Sequence, residues 1–158
     1  MAKIAFTKLD LKVNNNVKQN TYTNSKGEVI EYEVKYYLPI KEKLDLISNI
    51  INSSSDDNGY YNPMRVKIFT VLEIVFAYTN LNFTAKQKED PFKLYDLLLS
   101  NGIYNDVIDS IWSEDIEEIQ SATIQTIKNI YDYRNSVVGI LDIVTADRES
   151  LNFDAIGL

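Results

Sequence analysis

Carboxylates are the side chains with which this chain could do chemistry near neutral pH, for it holds 23 Asp and Glu but no histidine and no cysteine. The Ser-His-Asp and Cys-His systems lack their imidazole base and a zinc site lacks its usual ligands, so those classes are excluded. Carboxylates alone can support a glycosidase-type acid–base pair or a magnesium or calcium site. Four clusters lie close enough in sequence to be weighed. Glu114-Asp115-x-Glu117-Glu118 could hold a cation or meet a basic partner, or could serve only the positive end of a helix dipole. Asp56-Asp57-Asn58-Gly59 lacks the alternating acids and closing Glu of a calcium loop and reads as a turn. Glu89-Asp90 are neighbours, and Asp106 and Asp109 lie three apart on one helix face, but neither pair has a sugar-binding motif beside it. No Walker loop, GxGxxG or GxSxG occurs, and five glycines leave little material for a phosphate cradle. The residues imply no catalytic site, no cofactor and no metal.

The other chemistry on offer is contact. Among eleven tyrosines, Tyr37, Tyr60 and Tyr61 stand at positions that suit either an interface or a core, while strand phase turns Tyr32 and Tyr36 inward. Tyrosine covers much area at small entropic cost, and it also fits strands without any partner. Arg134, one of three arginines, falls on an apolar helix face, where an ion pair with a neighbouring helix would make it structural.

The elements that must position these residues are readable from period. In Ile30 to Leu38 the even positions are apolar, the pattern of a half-buried strand. With a turn at Asn24-Ser25-Lys26-Gly27, Lys18 to Thr23 should pair with Val29 to Leu38. An earlier strand is expected through Ile4 and Phe6, with a bulge near Thr7-Lys8 that shifts its phase to Leu9, Leu11 and Val13. Asn14-Asn15-Asn16 then forms a loop. From Pro39 the period is helical, with Leu44, Ile47, Ile50 and Ile51 on one face. Asn62 caps a helix over Met64 to Thr79 that is apolar almost all round and belongs at the centre of the core. Asp90-Pro91 opens a helix that stops at Asn101-Gly102, and a short segment follows through Ile103, Val107, Ile108, Ile111 and Trp112. Ser113 caps the longest helix, its inner face running Ile116, Ile119, Ile124, Ile127, Ile130 or Tyr131, Arg134, Val137, Val138 and Leu141. The pattern fades beyond Thr145.

These readings give an α+β fold, mostly α, with an N-terminal β-hairpin or small antiparallel sheet packed on about five helices. One domain is expected over 1–158: a β-rich part at 1–38, a helical body at 39–145 and a loose tail at 146–158. Hydrophobic residues make up 45% and charged ones 25%, ordinary for a globular chain. A formal charge of −7 argues against binding nucleic acid or an anionic membrane directly. The N-terminus has no signal-peptide core and no long apolar run occurs, so a soluble, intracellular protein is expected. An excess of Asn, Lys, Ile, Tyr and Phe over Gly, Ala, Arg and Pro points to an AT-rich genome.

The strand-to-helix join from Val34 to Leu44, the segment Phe83-Thr84-Ala85-Lys86-Gln87-Lys88-Glu89-Asp90-Pro91 and the segment Tyr131-Asp132-Tyr133-Arg134-Asn135-Ser136 resemble small acidic proteins encoded among the structural genes of tailed phages. In organisation, a hairpin followed by an acidic helical body, the chain also resembles phage tail assembly chaperones. The resemblance implies a non-enzymatic protein in virion structure or in head or tail assembly. Its partners would be phage structural proteins or its own copies, in the cytoplasm of an infected bacterium or in the virion. The candidate partner-binding residues are Tyr37, Tyr60, Tyr61, Glu114, Asp115, Glu117 and Glu118. The alternative is an acidic, nucleic-acid-mimicking inhibitor of a host defence nuclease complex.

Overall fold

Two short strands, a turn and a proline set the first boundary of this chain. Its structure is a computed structural model that describes residues 10–13 and 15–150, the side chains of residues 144 and 147–150 excepted. Strand β1 (Val17–Thr23) pairs antiparallel with β2 (Val29–Lys35), with Tyr22 opposite Ile30. The turn is built by Asn24, whose Oδ1 accepts from the backbone N–H of Lys26 and Glu28, and by Gly27, which takes a left-handed φ of 79° that a side chain would resist. Ile4, Phe6, the bulge near Thr7-Lys8 and Leu9 lie outside the described residues. Residues 10–13 form no strand, and Leu11 and Val13 are exposed, so the expected first strand does not reach Val13. Alternation alone does not make a strand when no neighbour accepts its ladder, and among the described residues the sheet has two strands.

Seven helices follow among the described residues: α1 (Ile40–Ser54), α2 (Pro63–Tyr78), α3 (Ala85–Lys88), α4 (Pro91–Ser100), α5 (Ile103–Ile108), α6 (Ser113–Arg134) and α7 (Val137–Ser150). The fold is thus α+β with helices dominant. Asn62 caps α2 by accepting from Met64 and Arg65, and Asp90 caps α4 by accepting from Lys93 at 3.1 Å. Gly102, at φ 76°, ends α4. Short α3 is held by a capping box between Thr84 and Gln87. Leu44 was expected on the inner face of α1, yet it is exposed while Lys43, Leu46 and Ile50 are buried. A position 100° round the helix from Lys43 falls off that stripe. Among the described residues no helix is long and apolar enough to cross a membrane.

By its internal contacts the chain divides into two compact units, Met1–Gln120 and Ser121–Leu158. In the first, α2 explains its own composition by facing two clusters. Ile74 and Tyr78 join Tyr32, Val34, Leu38, Leu46, Ile50, Val107, Ile111, Ile116 and Ile119, while Ile68, Leu72 and Val75 meet Leu94 and Leu98. The outer edge of β2 is closed by the chain leaving α2: Val34 bridges Thr79, and Glu33 exchanges hydrogen bonds with Asn80.

In the second unit the sequence suggests one helix to Thr145, and the structure has two. Ser136 breaks it: its carbonyl starts α7 through Ile140 N–H, and its hydroxyl accepts from Gly139 N–H at 3.1 Å, an N-cap. The chain reverses there, and Gly139 lets the two helices meet. A Cβ at Gly139 would stand 2.1 Å from the Tyr133 carbonyl oxygen. The groove between the helices holds about 520 Å³ and is lined by Thr126, Ile130, Tyr133, Arg134, Gly139, Asp142, Ile143 and Ala146 among others. Val137, Val138 and Leu141, expected on an inner face, are exposed, as is Ile124. The reversal turns α7 so that Gly139, Asp142 and Ala146 face α6 and those aliphatic residues do not.

Candidate functional site

Four of the seven candidate contact residues, picked from sequence for different reasons, line one cleft of about 800 Å³: Tyr37, Glu114, Asp115 and Glu118, together with Ile40, Lys43 and Trp112. Three local features put them there. Just past the end of β2, Tyr36 meets Trp112, whose backbone N–H donates to the Tyr36 carbonyl at 3.1 Å. Pro39 then turns the chain into α1 and places Lys43 at the buried end of its stripe. Across from it, α6 begins with Asp115 and Glu118 turned towards Lys43 of α1.

Asp115 is the centre of this cleft. Both Asp115 and Lys43 are 4% exposed, and Lys43 Nζ lies 2.8 Å from Asp115 Oδ1 and 2.6 Å from Glu118 Oε2. The other oxygen, Asp115 Oδ2, accepts from the Leu38 N–H at 2.9 Å and the Tyr78 hydroxyl at 3.0 Å. One carboxylate therefore ties the β2–α1 join, α1, α2 and α6. Burial alone would lower the Lys43 pKa, but hydrogen bonds and charge from Asp115 and Glu118 outweigh it, so Lys43 is raised and stays charged. Tyr78 is pushed well up, first by burial and then by the negative Asp115 beside it.

Asp115 stands in the first turn of α6, at the positive end of the helix where the sequence reading put it, and its carboxylate also accepts from three donors of other elements. Ser113 does not cap α6: the first bonds run to the Trp112 carbonyl, and the Ser113 hydroxyl meets Glu114. An acid saturated with donors and matched by an ammonium is poorly placed to shuttle protons.

At the open side of the cleft the character changes. Tyr37 and Trp112 sit with ring centroids 5.8 Å apart and planes at 49°, and Lys43 Nζ lies 4.6 Å from the Tyr37 centroid. Trp112 and Ile40 are exposed, as are Glu114 and Glu118. Glu117 is exposed on α6 and does not line the cleft. Tyr60 and Tyr61 do not line it either: Tyr60 is exposed in a turn that Asp56 makes by accepting from the Asn58 and Tyr60 N–H, and Tyr61 bridges Ser55. Asp90 is committed to capping α4, and among the described residues no group of three or more acids could hold a metal ion. Sequence reasoning missed Lys43, Tyr78 and Trp112. The signal for Lys43 was there, a single charge on the stripe shared with Leu46 and Ile50.

Comparison with protein-family models, with curated proteins and with solved structures found no match.

Proposed function

We propose that this chain is a non-catalytic protein that acts through contacts with other proteins, as an assembly factor or virion component of a tailed phage, with a phage structural protein as its partner. The observation that carries the reading is the bare apolar face of α7. Val137, Val138, Ile140 and Leu141 do not line the groove, Val137 and Leu141 falling opposite it, and all four are more than half exposed, Val137 at 74%. Fully burying each such side chain is worth roughly 1.5–3 kcal/mol, so covering four that are already partly shielded contributes several kcal/mol. A cluster of this kind on a soluble protein marks a contact surface. The hairpin adds support: among the described residues the sheet has two strands, and with the outer edge of β2 closed, β1 is the one that could accept an extended segment.

The other reading, an acidic inhibitor of a host defence nuclease complex, draws less support. It needs free carboxylates in a row, whereas Asp115 is buried and Lys43 already holds one oxygen of Glu118. Capture of the tagged protein and of its Val137→Asp/Leu141→Asp variant from the infected host, at low and high salt with mass spectrometry of the eluate, separates the two. Recovery of head or tail proteins at both salts, lost in the variant, is expected; recovery of a nuclease complex at low salt only would replace the assembly reading.

A further inference from the structure

We infer that the cleft beside Trp112 is a receptor for an arginine side chain carried by a partner protein. The inference does not rest on the α7 face and uses different residues.

Charge complementarity selects the occupant. The cleft holds the carboxylates of Glu114, Asp115 and Glu118 against one ammonium, Lys43, an excess of two negative charges. Lys43 is consumed in neutralising Asp115 and one side of Glu118 at the floor. Glu114 and Glu118 stay exposed at the rim, where an incoming cation meets them without a large desolvation cost. An anion would meet those same carboxylates and be repelled.

Shape and aromatic character narrow the cation. Trp112 is 45% exposed beside Tyr37, and Ile40 adds an open aliphatic wall. A planar, weakly hydrated guanidinium stacks on an indole face and forks onto carboxylates, and its three-carbon stem packs on apolar surface. A compact ammonium uses the wall less well. The cleft already contains the same arrangement in miniature, for Lys43 stands over the Tyr37 ring while bonded to two carboxylates.

The chain has a single tryptophan among eleven tyrosines, so tryptophan emission, excited beyond the tyrosine band, reports on this cleft. The test titrates the full chain with the capped tripeptide acetyl-Gly-Arg-Gly-amide and with its citrulline twin, which has the same shape and no charge. A saturable change in Trp112 emission with the arginine peptide is expected, at least about tenfold weaker with citrulline and weakened by salt. Glu114→Gln, an exposed substitution outside the Lys43 network, should weaken arginine binding several-fold while the circular dichroism spectrum is unchanged. Equal responses to both peptides, no saturable response, or arginine binding indifferent to Glu114→Gln would each overturn the inference. Tighter binding of the lysine counterpart would overturn the choice of guanidinium.

Discussion

Removing the Lys43 ammonium is expected to cost far more than removing a surface lysine, and the structure sets the scale. In Lys43→Met the aliphatic stem is kept and the charge is lost. Asp115 then retains two neutral donors, the Leu38 N–H and the Tyr78 hydroxyl, but no cation, with Glu118 still negative close by. At the 2.8 Å separation of Lys43 and Asp115 the attraction is about 6 kcal/mol at an effective dielectric constant near 20. Desolvation of both ions offsets part of that gain, and stranding one buried partner typically costs about 3–5 kcal/mol. Lys35 supplies the control, since it pairs with Glu42 at 2.9 Å while both side chains are roughly half exposed. Lys35→Met should cost about 1 kcal/mol or less. Urea unfolding followed by circular dichroism gives both numbers, provided the slope with denaturant is unchanged. In the double variant Lys43→Met/Asp115→Leu the penalty should fall well below the sum of the single ones, because no charge is then left buried. Equal costs for Lys43→Met and Lys35→Met would refute the assignment of Asp115 as the tie between the β2–α1 join and the helices.

Gly139→Ala should cost about 1–3 kcal/mol and speed hydrogen exchange along α7, since the new methyl would collide with the Tyr133 carbonyl; unchanged exchange would contradict the close approach. Glu73 is raised above its usual pKa by burial, against the opposing hydrogen bond from Asn49 and the charge of Lys88. The native state therefore holds its proton more tightly than the unfolded one and loses stability as pH rises through the folded pKa. Glu73→Gln should accordingly stabilise at pH 7, with the gain fading towards pH 4.5 and below, as a pH series of urea midpoints will reveal. Lys43 and Tyr78 are both raised, so their contribution is fully present up to about pH 10 and is lost as pH climbs through the folded values. Alkaline unfolding should then be shallower in Tyr78→Phe than in the parent chain.

Local rules made much of this fold legible. Asn24 and Gly27 announced the turn, period two announced β2, and Asn62-Pro63 and Asp90-Pro91 announced two helix starts, because each of those signals acts within a few residues. The break between α6 and α7 was hidden because Asn135-Ser136 contains neither proline nor glycine, and apolar residues continue across it at helical spacing. Only Ser136 and Gly139 hint at it, and their meaning depends on a close approach that no periodicity encodes. The same holds for the cleft. Asp115 and Lys43 are 72 residues apart, so a charge on each apolar stripe says that a partner is needed without saying which. Trp112 was passed over as one more apolar residue in a short segment, though a lone tryptophan beside an acidic run was the available clue.

The central claim, that this chain works by offering the apolar face of α7 to a protein partner, is tested most directly by hydrogen exchange measured with and without the captured partner. The account predicts slowed exchange centred on residues 137–141 when the partner binds. Protection confined to other elements, with α7 exchanging as in the free chain, would contradict it.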